Sequence, residues 1–472
     1  MKKYTVVLYN PAAVFFTMPL ALIAIGSYLD SSKYDVVIID GRLEADPMIK
    51  IRSALGKNPV CFATTVLTGR PIRDALDISR KVKEEFPSVP VVWGGWHPSL
   101  FPAQTLAEPA IDFVVRGQGE VAFAELLERL SFGKSMEGLN GVCYREGGQI
   151  IENPERLMID IERFPKMDYD LIDVPAYMKL SGRRQLDYIS SQGCRFRCAF
   201  CADPFMYKRR WAGYSPQRMV DEIEELWHKY KFEHVHFQDE TFFTYAPRVK
   251  EFAEILIERK LPISWFGTIR ADQGVRLSDE IWLLCKKAGL ERVMIGMEAG
   301  TQEMLDWMQK DIKIEQVFEV AEKCVEFDLG INFSVIVGFP GEPVNSVKAT
   351  LQMVKKLRKM SSAFHMGIFY YKPYPGNIIA DRLLKDGYKF ASTLEEWSQF
   401  DYVASGKSEF MSEETVAMVE NFKFYQNIAY NKPTPLKKVL QGVARWRIDR
   451  EEYRFPIERR LKEWLRPQQQ MS

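Results

Sequence analysis

The chain has no excess of either charge. Its 64 Lys and Arg against 63 Asp and Glu nearly cancel over 472 residues, so nothing in the balance asks for a nucleic-acid partner. Long apolar runs are missing too. Lys2 and Lys3 precede an apolar stretch as an export signal would, but Asn10-Pro11 and Pro19 interrupt it and no long apolar span follows. Cysteine is scarce. Four of the seven, Cys61, Cys143, Cys285 and Cys324, stand alone in predicted strands or helices, where a free thiol packs as a small apolar residue. That usage suits a reducing cytoplasm. What remains is an ordinary globular composition, 46% hydrophobic, with length enough for two or three domains.

The other three cysteines fall within eight residues, in Ser191-Gln192-Gly193-Cys194-Arg195-Phe196-Arg197-Cys198-Ala199-Phe200-Cys201. Thiolates at this spacing can each hold one iron of a cubane cluster, because a short loop curls its sulfurs around one face. The fourth iron is then open to the amino and carboxylate groups of S-adenosylmethionine. The competing readings are a structural zinc site and chance clustering. Zinc closes a tetrahedral shell with four ligands, and no further Cys or His neighbours the motif. The motif resembles the signature of the radical S-adenosylmethionine superfamily, a resemblance that covers a little under half of the chain. It implies a 4Fe-4S cluster, one-electron reduction of the sulfonium, and release of methionine and a 5′-deoxyadenosyl radical.

From residue 4 to about 132, short β-branched runs at 4–8, 34–40, 59–64, 89–93 and 112–116 alternate with helical periods such as 70–86. The pattern predicts an α/β fold with a doubly wound parallel sheet, whose ligands bind beyond the carboxyl ends of the strands. The loops there are Asn10-Pro11, Thr64 to Gly69, Gly94-Gly95-Trp96-His97-Pro98 and Gly117-Gln118-Gly119-Glu120. Glycine at such places lets backbone approach a large ligand. The last two loops, and their position ahead of the cysteine motif, carry a resemblance to the cobalamin-binding domain of cobalamin-dependent radical enzymes. The resemblance implies cobalamin contacts from Asn10, Pro11, Thr65, Thr68, Gly69, Gly94, Gly95, His97, Gly117, Gly119 and Glu120. The Asp-x-His-x-x-Gly motif that supplies a histidine to cobalt in many cobalamin proteins is absent. His97 is then a cobalt ligand, a contact to the cofactor's tail or a turn residue. A Rossmann-like domain that has lost its cofactor is the other reading of this half.

The expected divisions are a cobalamin-binding domain over 1–132, a bridge with a hairpin over 133–185, a partial barrel over 186–390 and a helical tail over 391–472. The hairpin spans 141–152 and turns at Gly147-Gly148, and two proline-bearing segments after it read as linker. Six strands at 187–191, 234–238, 264–270, 292–298, 332–338 and 364–371, separated by helical stretches, suit a six-fold (β/α) partial barrel with the cysteine loop leaving its first strand. The superfamily resemblance implies S-adenosylmethionine contacts at later strand ends. Asp239 and Glu240 stand where a Gly-Gly-Glu motif often receives the amino group, although Gln238-Asp239-Glu240 departs from it. Arg270, Glu298, Gly338 and Phe339 follow on later strands, and Phe200 would lie against the adenine. Salt-bridged barrel-end residues are the alternative for Arg270 and Glu298. Tyr370, Tyr371 and Tyr374 are substrate-side or core aromatics.

The whole-chain order resembles the cobalamin-dependent radical family that includes the anaerobic magnesium-protoporphyrin ester oxidative cyclase and many carbon or phosphorus methyltransferases. It implies hydrogen abstraction from an unactivated carbon and methyl transfer to it by way of cobalamin. Oxidative cyclisation or rearrangement is the same-family alternative, and a non-catalytic cobalamin-binding or electron-transfer protein the alternative outside it. The implied partners are a small-molecule or lipid-like substrate and an electron donor such as flavodoxin or ferredoxin. In the tail, Arg445, Arg447, Arg459 and Arg460 are interspersed with Trp446, Phe455 and Trp464, so a membrane-surface contact stands beside a solvated packing face diluted by acids such as Glu463.

Overall fold

The computed structural model describes residues 3–12, 16–400, 407–431, 438–452 and 456–460. By its internal packing the chain divides into two units. The first takes 1–242, 251–265 and 374–401, the second 243–250, 266–373 and 402–472.

The first unit opens with the doubly wound sheet. Strands β1 (Tyr4–Asn10), β2 (Tyr34–Asp40), β3 (Pro59–Thr65), β4 (Val91–Gly94) and β5 (Phe113–Val115) stand in the order β2-β1-β3-β4-β5, all parallel. Alternate residues of β1 show why both faces are covered. Val6 and Leu8 join the core under α1 (Leu20–Tyr28) and α6 (Gly119–Phe132). Val7 and Tyr9 join the core under α2 (Pro47–Leu55) and α3 (Arg70–Glu85). A strand apolar on both sides belongs in such a two-sided sheet.

Two expectations change here. The hairpin, read as part of a bridge, is β6 (Val142–Glu146) and β7 (Gln149–Glu152), and β6 pairs antiparallel with β5, extending the same sheet to seven strands. Val142, Cys143 and Tyr144 are all buried, one face after the other, so this strand needs cover on both sides as β1 does. The second proline-bearing segment is a helix start rather than linker: the Asp173 side chain caps α7 (Val174–Ser181), with Pro175 in its first turn.

Residues 374–401, expected at the end of the barrel and the start of the tail, also pack in the first unit. Trp397, 1% exposed, sets its ring 5.7 Å from His97 and 5.2 Å from Phe101. An indole buried among aromatics is a large apolar anchor.

The six strands expected for the barrel all form, with ends moved by one to three residues: β8 (Gln185–Tyr188), β11 (His234–Phe237), β12 (Ser264–Ile269), β13 (Leu290–Glu298), β14 (Gly330–Val337) and β15 (Phe364–Tyr370). In the first unit β8 and β11 pair in parallel. In the second, β13, β14 and β15 do. Helices fill the connections, and the tail adds Glu413–Tyr430 and Lys438–Arg450. Phe455, Glu463 and Trp464 lie outside the described residues.

Gly69 is where the returning segment meets the first sheet. Its φ of +107° and ψ of −148° cap α3 in a region open only to glycine, and a Cβ there would stand 2.5 Å from the Phe400 carbonyl. Gly69→Ala is expected to cost about 1–3 kcal/mol, read as a lower urea midpoint. An unchanged midpoint would mean that residues 393–400 do not pack as described.

Candidate active site

The cysteine loop springs from a ribbon of its own. β9 (Ser191–Gly193) pairs antiparallel with β10 (Trp211–Gly213), Gly193 opposite Trp211, so the three thiols lie on a loop closed at its neck. Gly193 has φ +87°, and a Cβ on it would meet the Arg210 carbonyl at 2.3 Å. Only glycine fits the neck. Within the loop the Cys201 amide donates to the Cys198 carbonyl at 3.2 Å. From the returning segment, Asn377 Nδ2 donates to the Phe200 carbonyl at 3.0 Å and the Ile379 amide to the Ala199 carbonyl at 3.0 Å.

Burial pushes the Cys194 thiol up to about 11 and the Cys201 thiol higher still. Without a cation these sulfurs stay protonated, and bound iron reverses that by stabilising thiolates. Among the described residues no three His, Cys, Asp or Glu side chains are grouped to hold a single metal ion. Three thiols on one loop, each for a different iron, are the donor set of a cubane cluster.

Asp239 is 3% exposed, and its carboxylate accepts from the Ser190 amide at 2.8 Å, Ser190 Oγ at 2.6 Å and Ser191 Oγ at 2.5 Å. In this arrangement it fastens the stem of the cysteine loop. Its neighbour Glu240 remains available. It accepts from the Gly193 amide at 3.2 Å and lines the cavity described below. Burial first, then the charges of Asp203 and Asp239, raise it to about 8, opposed by bonds that include one from Tyr207.

The remaining strand-end residues lie in the second unit. Arg270 is buried, with Nε on Asp272 at 2.9 Å and Nη2 on the Lys310 carbonyl at 2.5 Å. Glu298, at φ +60°, is buried and paired with Lys310 Nζ at 2.8 Å. Both are salt-bridged barrel-end residues, the alternative weighed above. The Gly338 and Phe339 amides donate to Glu342 at 2.7 and 3.2 Å. Phe339 itself is fully buried, its ring 4.6 Å from that of Tyr371. The expectation for this segment is a backbone contact with adenine, which the burial of the Phe339 ring does not touch. Lys310 was not legible: it sits in no motif.

At the carboxyl ends of β1, β3, β4 and β5 lies a cavity of about 390 Å³. Asn10, Pro11, Thr65, Gly94, Gly95, Gly117, Gly119 and Glu120 all line it, as expected. Thr68, Gly69 and His97 do not. His97 is wholly buried below the loop, its Nδ1 3.3 Å from Thr68 Oγ1, and burial takes its pKa down to about 3. The ring packs on Phe101 and Trp397, away from the cavity lining. Leu20, Ala21, Ala24 and Ile25 of α1 form an apolar wall, and Gln192, Tyr207, Gln238 and Glu240 a polar one.

The residues fit a large ligand with a flat apolar face and polar edges. Thr64 Oγ1, in the cavity wall, is buried and has no hydrogen-bond partner, which calls for one from a ligand. Gly95, at φ +94°, brings backbone to the rim where a Cβ would collide with Thr65 Oγ1 and the Val66 amide at 2.8 Å.

Residues 188–354 match the Radical SAM superfamily, and with the cysteine loop this defines a radical S-adenosylmethionine enzyme. Residues 8–127 match the B12 binding domain. The chain thus joins a B12 binding domain to a radical S-adenosylmethionine domain. It is 29% identical to an uncharacterized methyltransferase of Pyrococcus horikoshii over 82% of each chain. It is 27% identical to the anaerobic magnesium-protoporphyrin IX monomethyl ester cyclase of Synechocystis, over 62% of this chain and 59% of the cyclase. The radical S-adenosylmethionine methyltransferase TsrM of Kitasatospora setae has a similar fold, with a TM-score of 0.74 at 17% identity over 94% of this chain and 96% of that one.

Asp239→Asn keeps the shape of the clamp and removes its charge, at a cost of about 1–3 kcal/mol for charge-assisted bonds. After anaerobic reconstitution the variant is expected to hold markedly less iron per chain than wild type, with its melting transition still cooperative. Wild-type iron content would show that the clamp does not support the cluster loop.

Proposed function

We propose that this enzyme methylates an unactivated carbon of a large or apolar substrate. The observation that carries the reading is the make-up of the cavity wall. Loops of the B12-binding domain form one part, and Gln192, Tyr207 and Glu240, which flank the cysteine loop in sequence or touch its neck, form another. When bound, the cluster with S-adenosylmethionine supplies a carbon-centred radical, and cobalamin supplies a methyl group. The chain's own part is to hold these groups together and exclude water. Cys194, Cys198 and Cys201 would hold the cluster. Glu240 lines the cavity beside the cysteine loop, and an ammonium group placed against it would favour its ionised form and make a charge-assisted contact. The eight lining residues named above would hold cobalamin.

An apolar substrate is supported by the second unit. On the face of β13, β14 and β15 that carries Gly296, Ser334 and Gly367, Met294 is 37% exposed and Phe369, whose ring covers Gly367, is 43% exposed, an apolar surface beside the buried Glu298–Lys310 pair. Arg292 on the same face is committed to the Ala363 carbonyl and Asn332 at 2.7 and 3.1 Å. The likeness to a methyltransferase over 82% of both chains favours methyl transfer, and the likeness to a cyclase keeps oxidative cyclisation as the second reading.

In the tail, exposed Val439, Leu440 and Trp446 lie among Lys438, Arg445 and Arg450, a composition that supports contact with an anionic lipid surface. Among the described residues no helix is long and apolar enough to cross a membrane.

The test is turnover by anaerobically reconstituted enzyme given cobalamin, a low-potential reductant such as flavodoxin and methyl-labelled S-adenosylmethionine. Methyl transfer predicts both 5′-deoxyadenosine and S-adenosylhomocysteine. Deoxyadenosine alone would overturn methylation in favour of cyclisation. Neither, from protein holding intact cluster and cobalamin, would leave a binding protein.

A further inference from the structure

Gln192 stands two residues before Cys194, on the strand that forms the neck of the cysteine loop. Its side-chain amide is held by the Gly117–Glu120 loop of the B12-binding domain. Its Oε1 accepts from Gln118 Nε2 at 2.9 Å, and the same side chain lies close enough to the Glu120 carboxyl to favour its ionised form. Neither partner is free to drift. Gln118 exchanges two bonds with the Ile159 backbone, at 2.8 and 3.1 Å. Glu120 is 5% exposed in the first turn of α6, where nearby backbone amides partly offset the burial that raises its pKa. All three side chains line the same cavity.

From this geometry we infer that Gln192 is a positioning residue through which occupancy of the cobalamin cavity and order of the cluster loop are coupled. The inference rests on the cavity being a cobalamin site. A ligand covering Gln118, Glu120 and Gln192 shields the Gln118–Gln192 bond from water and keeps it closed, and so lowers the ordering cost of the neck for cluster assembly. Linkage makes the effect reciprocal: cluster raises cobalamin affinity by the factor with which cobalamin raises cluster retention. On the far side of the strand, the Gly193 amide on Glu240 fixes the next residue, so a shift at Gln192 turns the strand about that point rather than dissipating.

The test is the Kd for hydroxocobalamin measured on cluster-loaded and chelator-stripped protein, with the rate of iron loss to a chelator followed with and without cobalamin. Neither readout needs turnover. Wild type is expected to bind cobalamin roughly 5- to 150-fold tighter with cluster present, the usual range of coupling between sites. Gln192→Leu, which keeps bulk and removes both polar ends, is expected to bring that ratio to about 1. Should Gln192→Leu fail to fold, Gln118→Ala breaks the same contact from the other domain. Equal Kd values with and without cluster in wild type, or an undiminished ratio in a folded variant, would overturn the coupling. Absence of any cobalamin binding in wild type would instead overturn the reading of the cavity on which it rests.

Discussion

The arrangement depends on a buried carboxylate at the base of the cysteine loop. Asp239 is taken out of water at the end of β11, and a buried charge of this kind costs several kcal/mol unless its lone pairs are satisfied. Three donors from two consecutive serines do so. Because the cost is recovered only in that geometry, Ser190 and Ser191 have one low-energy position, and the loop that starts three residues later has a fixed origin. Its other flank is held by Asn377, 177 residues further on. Both supports lie outside the loop itself. Cys194 and Cys201 can therefore stay partly accessible, with Cys198 buried between them, while their backbone does not wander.

The same device recurs beside the cavity. Asp187, on β8, accepts from the Met18 amide at 2.9 Å, from Gln185 at 2.9 Å and from Gln238 at 3.0 Å. Met18 and Gln238 both line the cavity, so one carboxylate sets two parts of its wall. Asp40 and Arg42 form a second such centre, bonded at 2.6 Å and joined by Asn10 and Tyr177. Burial alone would raise Asp40, but the Arg42 guanidinium outweighs it and holds the carboxyl low. Charges held this way do little for net stability, since desolvation offsets much of the attraction. What they fix is geometry, and they stand where the chain must present a surface to a large ligand.

Local chemistry was legible in the sequence and long-range pairing was not. The cysteine spacing, the glycine loops and the strand–helix alternation each depend on residues within a few positions of one another, and each has its counterpart in the structure. Asp239 and Glu240 illustrate the limit. They are adjacent and alike in the sequence, but adjacent strand-end residues point in different directions, and only burial and partners show that one holds serines while the other lines the cavity. His97 shows a related limit: beside glycines it reads equally as a ligand, a tail contact or a turn residue, and only the packing of Trp397, 300 residues away, shows its ring turned into the core. Lys310 carries no local sign at all, since its meaning comes from Glu298 across a turn with left-handed residues at Gln309 and Asp311.

The composition of α1 bears on what the cavity must contain. Leu20-Ala21-Leu22-Ile23-Ala24-Ile25 has no polar face, and only part of it is used by the domain's core: Leu22 and Ile23 are buried while Ala21 is exposed and Ala24 and Ile25 half-exposed along the cavity. A surface helix ordinarily turns polar residues to solvent. One that keeps apolar side chains on both sides loses hydrophobic stabilisation on the open side, about 25 cal/mol for every Å² left in water. The opposite wall is polar, with Gln118, Gln192 and Glu120 beside Thr64, whose Oγ1 has no hydrogen-bond partner. Water could satisfy the polar wall but not α1, and a small polar metabolite could not cover it. A broad ring system with an apolar face and amide-bearing edges meets both demands, and the B12-binding match over residues 8–127 names a ligand of that shape.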